Sequence, residues 1–404
     1  SNRPLDGVSN QKYGGESVIP YDVDKSLMIQ ILTGNIINKM SYNHAILSES
    51  QISTIANWIA DGCQNHLEEP AYTNPKSYRV YVCNQYSEDV SVIDGTEKVV
   101  SYLTDVNDPT NEDDTPYDVA EFGDYYYVTL SSAGEFVKYR KSDNSVVSSI
   151  GGINDAGRIQ INRDGTKAYV SRTAFSENLY YSIYVINLIT MNVIKQISFG
   201  LPGLLHGMAL DITRGYLYIA DAYNNLVLVV NTLNDTVIDI RYSLTQKYNP
   251  LFMEVSPDGN YLYITSPEIN QLLVINTASR QLIWYLNLLS TPMGITVSKT
   301  GEKIYVASYE GNAVEVITKV ADNWNKTNTI EHPAFNMCFD LDISTDDNYL
   351  YVTNPNYDGE FVPAYQVKEE GEISTVGIIN TFSETVEKVI EVEEGAAGIC
   401  VERF

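Results

Sequence analysis

Along most of the chain, apolar and polar positions alternate in runs of four to six residues broken by Gly, Pro, Asn and Asp. That is the pattern of short strands joined by tight turns. It is clearest over 256–286, SPDGNYLYITSPEINQLLVINTASRQLIWYL. Pro257-Asp258-Gly259 reads as a turn, in which Pro pre-sets φ and Gly accepts a positive one. Tyr261 to Thr265 is aromatic and β-branched, as a half-buried pleated surface requires. A second run, Leu272 to Ile275, stops at Asn276, and a third spans Leu282 to Leu286. Just upstream, Phe252-Met253-Glu254-Val255 supplies a fourth strand.

The unit repeats. Its core tetrad begins at Tyr81 (YVCN), Tyr127 (YVTL), Tyr169 (YVSR), Tyr218 (YIAD), Tyr263 (YITS), Tyr305 (YVAS) and Tyr351 (YVTN). Successive tyrosines lie 46, 42, 49, 45, 42 and 46 residues apart. A four-stranded unit at this period predicts an all-β, seven-bladed β-propeller. Third strands fall in phase, among them 90–94, 183–187, 227–231 and 376–380. The first tetrad has no inner strand ahead of it. The chain ends in Ala397-Gly398-Ile399-Cys400-Val401, which matches Gly294-Ile295-Thr296-Val297 of a complete blade. The C-terminal strand is therefore expected to complete the first blade and close the ring, leaving only short sheet edges.

On these tetrads, residues 78–404 resemble the YVTN-repeat propellers of surface-layer-type proteins. The resemblance implies an exported, seven-bladed protein of mostly non-catalytic kind. It is specific for fold and weak for function, because one scaffold hosts many activities.

Residues 1–66 do not carry the repeat, and 67–77, with its prolines, reads as a linker. A helix is expected from Asp24-Lys25-Ser26-Leu27, with Leu27, Met28, Ile31 and Leu32 on one face and Gly34 past its end. A second follows the capping box Ser48-Glu49-Ser50-Gln51, with Ile52, Ile55, Trp58 and Ile59 as its stripe and Gly62 as its stop. The run from Gly14-Gly15 through Leu47-Ser48, Gln51-Ile52, Ile55, Trp58-Ile59 and Gly62 resembles the later part of small c-type cytochrome domains. That resemblance implies Met40 as an axial haem ligand and Trp58 packed on the macrocycle or its helix. Covalent haem needs C-x-x-C-H, which residues 1–404 lack. In that family the motif lies upstream of the Gly-Gly run, so haem c is expected only if the motif precedes Ser1.

Composition narrows the partners. The chain has 26 Lys and Arg against 52 Asp and Glu, a net charge of −26. Such a surface repels phosphate backbones and acidic membranes. No apolar run approaches the ~20 residues that span a bilayer. The start at Ser1 without Met points to a processed or trimmed terminus, and 31 tyrosines beside 26 basic residues fit an exported, cell-surface or periplasmic protein. Cysteines 63, 83, 338 and 400 lack metal-ligand spacing. Cys83 and Cys400 should share a blade at roughly 10 Å, three residues out of register at ~3.3 Å each, too far for a disulfide. All four read as small buried apolar residues.

Loops on a rigid scaffold concentrate binding residues. Those entering inner strands (105–117, 199–206, 243–250, 331–337) and those between second and third strands (84–89, 171–182, 221–225, 309–312, 355–374) should share one face. They present Tyr86, Tyr117, Phe175, Tyr180, His206, Tyr223, Tyr248, Tyr309, His332 and Tyr357, suited to stack on sugars or anchor a protein. His206 is expected at the channel mouth, without a second His, Cys or carboxylate at motif spacing. Asp105, Asp108, Glu112, Asp113, Asp114 and Asp118 make an acidic loop that lacks the D-x-D-x-D-G order of a Ca²⁺ site, and a solvated loop is the favoured reading. The reading overall is a non-enzymatic scaffold binding a protein or envelope polymer. The alternatives are electron transfer through a fused haem domain, and an enzyme using the channel mouth.

Overall fold

The computed structural model describes residues 17–36, 47–72, 77–106, 114–172, 179–243, 247–363, 367 and 372–403. Seven four-stranded antiparallel sheets are arranged as a propeller. Six are consecutive in sequence. The seventh, here blade 1, takes its inner strand from Ala396–Val401 and its others from Arg79–Asn84, Asp89–Asp94 and Val99–Asp105. The tail pairs Val80 with Val401, Tyr81 with Cys400 and Val82 with Ile399. The expected closure is present.

Blades 2 to 7 begin with inner strands Pro116–Phe122, Ala156–Ile161, Leu205–Asp211, Met253–Val255, Pro292–Val297 and Leu341–Ile343. Each interface between neighbouring blades is its own apolar cluster; Val80, Val82, Val376 and Ile390, for example, fill the one between blades 7 and 1. All seven tetrad tyrosines are at most 2% exposed. At Tyr169 and Tyr263 the shaft packs while the phenol reaches the next blade: Tyr169 donates to Asp235 at 2.6 Å, and Tyr263 accepts from Trp324 Nε1 at 3.3 Å. An amphipathic ring does what neither Phe nor Ser would.

The third tetrad position explains itself through hydrogen bonds. Inner strands slip register near their start, as between Pro116 and Asp118. In three blades the tetrad threonine accepts an N–H at the start of the inner strand: Thr129 from Asp118 at 3.1 Å, Thr265 from Phe252 at 3.3 Å and Thr353 from Asp340 at 3.1 Å. Each hydroxyl then donates to the next blade's inner strand, at Gly157, Met293 and Ala397 respectively, all at 2.8 Å. One hydroxyl satisfies two buried backbone groups and bolts two blades together.

Before the propeller come α1 (Leu27–Thr33) and α2 (Glu49–Ala60). Gly34 ends α1 at φ 75, and the capping box at Ser48 and Gln51 forms. The expected faces need correction. On α1 the buried residues are Leu27 and Ile29, while Met28, Ile31 and Leu32 are only half-buried. On α2, Ile59 is buried but Trp58 is 42% exposed, its Nε1 donating to Gln64 O at 2.9 Å. The reason is a second packing partner. Ile19 inserts into the cluster between blades 7 and 1, and Lys25 pairs with Glu393 at 2.8 Å. The segment thus braces the seam where the ring closes.

All four cysteines are free. Cys63, Cys83 and Cys338 are buried, whereas Cys400 is partly exposed in the channel wall. Since Cys400 faces Tyr81, Cys83 is two residues out of register rather than three, a diagonal pair about 7–8 Å apart. That still exceeds disulfide reach.

Thr353→Val strands the Ala397 carbonyl and the Asp340 N–H at the last interface. Urea unfolding is expected to show a loss of about 1–3 kcal/mol, largely restored by Thr353→Ser.

Candidate functional site

Because strands alternate in direction, loops after second and fourth strands emerge at one end of the ring. This is the expected shared face, with two adjustments. The strand Asn192–Gly203 runs directly toward Leu205–Asp211, so 199–203 is strand rather than loop. Its extra length comes from pairing Gly203 with Tyr180, which starts the strand Tyr180–Asn187.

At the channel mouth, blades 6, 7 and 1 bring three of the expected tyrosines together. Tyr86, 61% exposed, lies 5.1 Å from Tyr357, centroid to centroid. The Tyr357 hydroxyl crosses the seam to donate to Gln85 Oε1 at 2.9 Å. Burial, then the neighbouring Tyr86, Tyr309 and Tyr117 phenols, raise the Tyr357 phenol. Half-buried Tyr309 packs edge-on against Phe339 at 6.4 Å. Burial raises its phenol too, reinforced by Tyr86, Asp358 and Glu310.

Beneath them, Tyr117 and His206 are 2% and 0% exposed. His206 is thus a buried floor residue and not a mouth-lining group. Its Nδ1 lies 3.0 Å from the Arg172 carbonyl and its Nε2 lies 3.5 Å from the Tyr117 hydroxyl. A neutral imidazole satisfies both, with Nδ1–H donating and Nε2 accepting. Burial pushes its pKa down to about 3, against the pull of the Arg172 carbonyl. Phe252 covers it edge-on at 5.0 Å. The arrangement holds the ring and leaves no exposed base.

The channel floor holds a group that no local sequence motif marks. Arg158 pairs with Asp118 Oδ1 at 3.1 Å and with Asp340 Oδ2. Its guanidinium lies 5.3 Å from the Phe252 ring centroid. Arg158, Asp118 and Asp340 come from blades 3, 2 and 7, so the triad spans the channel. Asp118 is therefore no member of a solvated acidic loop; it sits on an inner strand, and the Ile159 N–H donates to it at 2.7 Å. Residues 107–113, with Asp108, Glu112 and Asp113, lie outside the described residues. Burial pushes Asp118 up to about 7, partly opposed by Arg158. Burial raises Asp340 in the same way. Burial works against the Arg158 charge too, but the two carboxylates more than offset it and hold the guanidinium above its usual range. The signal was present in register. The residues just before the inner-strand apolar position are Asp118, Arg158, Gly207, Phe252, Gly294, Asp340 and Gly398. Glycine there is steric: a Cβ on Gly207 would fall 2.0 Å from the Leu251 carbonyl oxygen, and one on Gly398 2.5 Å from that of Tyr117.

The remaining expected residues scatter. Tyr180 donates to Asp155, and the Arg172 guanidinium stacks on its ring, 4.1 Å from the ring centroid. Tyr223 is exposed further round the face. Tyr248 is a core residue between blades 4 and 5. Half-buried His332, its Nδ1 accepting from the Ala334 N–H at 3.1 Å, lines a groove of about 580 Å³ between blades 6 and 7. Glu331, Phe335, Asn336, Glu360 and Phe361 also line that groove. Burial lowers the His332 pKa. Phe175 and Met40 lie outside the described residues.

No family model and no curated protein matches the chain. Among solved structures it is similar to a functionally unknown protein from Desulfotomaculum acetoxidans, at 15% identity, covering 80% of this chain and 98% of that one with a TM-score of 0.64. A protein from Lactobacillus plantarum matches at 13% identity, 81% and 100% coverage and 0.64. Virginiamycin B lyase from Staphylococcus aureus matches at 16%, 72% and 90%, and 0.54. Identities this low establish a shared propeller fold and nothing about activity.

Two outcomes follow for the floor. The His206 imidazole signals, followed by NMR, should not titrate between pH ~5 and ~8, whereas an ordinary histidine moves near ~6.5. Folded Asp118 keeps its proton to about pH 7, while an unfolded aspartate loses it near ~3.9. The folded state therefore binds the extra proton in that window, and this group's contribution to stability falls as pH rises through it. The unfolding free energy of wild type minus that of Asp118→Asn should fall from pH ~4 to ~7, then level off.

Proposed function

We propose that this chain is a non-enzymatic binding propeller that engages a protein or cell-envelope polymer through the face holding Tyr86, Tyr309 and Tyr357. The observation that carries the reading is that cluster: three tyrosines from three blades gathered at the channel mouth, one of them 61% exposed. Tyrosine supplies contact area at low entropic cost and a polar tip for hydrogen bonding. The polar groups beneath it favour a scaffold role, since His206 is enclosed as neutral imidazole and Arg158 is engaged by two carboxylates. The YVTN-type repeats and the tyrosine-rich, acidic composition support placing the protein outside the cytoplasm, at the cell surface or in the periplasm.

Electron transfer through a fused c-type haem domain is the second reading, favoured by the capping-box helix that bears the cytochrome-like run. The described residues supply neither a C-x-x-C-H motif nor Met40, and Ile29, Ile59 and Cys63 pack on one another. These residues do not fit haem by themselves. A C-x-x-C-H codon run upstream of Ser1, with a haem absorption band in the full-length protein, would revive that reading.

A glycan array and isolated envelope fractions test the proposal. Wild type should bind at least one component, and Tyr86→Ser with Tyr309→Ser should lose it by about tenfold. Binding indifferent to both tyrosines would overturn the assignment of the face.

A further inference from the structure

The charges around this tyrosine cluster name its partner's chemistry. Asp358 and Glu310 lie close enough to Tyr309, and Glu394 to Tyr357, to raise those phenols. The carboxylates have neutral partners that leave their charge in place: Ser290 donates to Glu310 at 2.6 Å, and Asn336 donates to Asp358. Among the described residues of the propeller loops on this face, Lys247 is the one lysine or arginine, and it pairs with Glu268 at 3.2 Å, while Lys25 of the N-terminal segment reaches the same end and is taken up by Glu393 at 2.8 Å.

The opposite end differs. Lysines and arginines of the propeller gather there, including Lys98, Lys141, Lys167, Arg214, Lys299 and Lys303. Most meet an acidic partner, as in Lys141 with Glu121 and Lys303 with Glu384. Among the described residues, acidic side chains therefore far outnumber basic ones in the loops at the tyrosine-bearing end. A surface pairing exposed aromatic faces with uncompensated carboxylates attracts cations twice over. Carboxylates steer them from a distance, and the tyrosine faces hold them through the ring quadrupole.

We propose that this face docks a lysine- and arginine-rich polypeptide segment, with a side-chain cation seated on Tyr86 between Tyr309 and Tyr357. A polypeptide is favoured over an amino polymer because the cluster sits beside the blade 6–7 groove. There Phe335 and Phe361 line the groove beside the carboxylates of Glu331 and Glu360, apolar and anionic surface that the mixed side chains of a basic peptide can use and a uniform amino polymer cannot. This rests on the proposed binding face and adds the class of partner.

The test is fluorescence anisotropy of the whole chain with labelled oligolysine, oligoglutamate and a glucosamine oligomer, at low and near-physiological salt. Oligolysine should bind, more weakly as salt rises, and oligoglutamate should not. Tyr86→Ser should weaken binding ~2–5-fold. Glu310→Gln, Asp358→Asn and Glu394→Gln together should weaken it ~10-fold or more. The same charge change at the other end, Glu97→Gln, Asp164→Asn and Glu302→Gln, should leave it within ~2-fold.

Equal losses from the two triple variants would reduce the effect to bulk charge and overturn the proposal. So would a glucosamine oligomer binding as tightly as oligolysine, or no oligolysine binding at all. In those cases, tyrosine-dependent capture of some envelope component would keep the binding face and discard only the partner's chemistry. Loss of tyrosine dependence everywhere would discard both.

Discussion

The pairing of Ala396–Val401 with Arg79–Asn84 is the constraint on which the molecule rests. It joins residues more than three hundred positions apart, and holding such a loop closed costs about 5 kcal/mol in chain entropy. Until that strand docks, blade 1 lacks its inner strand and blade 7 lacks a neighbour. The seam accordingly carries extra fastenings. Thr353 bonds Ala397, Arg403 pairs with Asp342 at 2.7 Å, and Lys141 pairs with Glu402 at 2.7 Å. From the other end of the chain, Ile19 and Lys25 cover the same joint.

The same closure shapes the channel. Inner strands converge until backbone meets backbone, which is why three ring positions must be glycine. Where side chains are tolerated, Asp118, Arg158 and Asp340 fill the axis with a guanidinium held by two carboxylates. Truncating Arg158, about 20% exposed, would leave Asp118 and Asp340 without a counter-ion, a loss below the ~3–5 kcal/mol typical of a fully buried pair. The channel is thus knit shut at its floor. Above it, Tyr117, His206 and Phe252 pack edge-on, and the surface tyrosines rest on that layer.

Function concentrates on one face because the loops do. Short turns at the opposite end are fixed by their own side chains, as where Asn380 Oδ1 accepts from the Phe382 and Ser383 N–H groups. The loops on the tyrosine-bearing face are longer and vary between blades, which frees them to carry recognition. The long insertion after Asn354 delivers Tyr357 across to blade 1 and Asp358 to Asn336 in the blade 6–7 loop.

The repeat period, the seven tyrosines and the orphaned C-terminal strand determined the number of blades and the manner of closure, because period-two alternation and turn chemistry are local properties. The capping box at Ser48 was legible for the same reason. What lay beyond the sequence were distances between blades. His206 and Tyr248 carry no local mark that one is sealed under Tyr117 and the other packed between blades 4 and 5. Asp118, Arg158 and Asp340 share one register position of the repeat, yet nothing near Asp118 announces that Arg158, forty positions on, is its partner. Of the expected face residues, Tyr86, Tyr309 and Tyr357 gather while Tyr180 and Tyr223 stand apart, since ring geometry alone sets which loops meet. Strand patterns fix each sheet, but only closure of the ring decides which side chains from different sheets share a site.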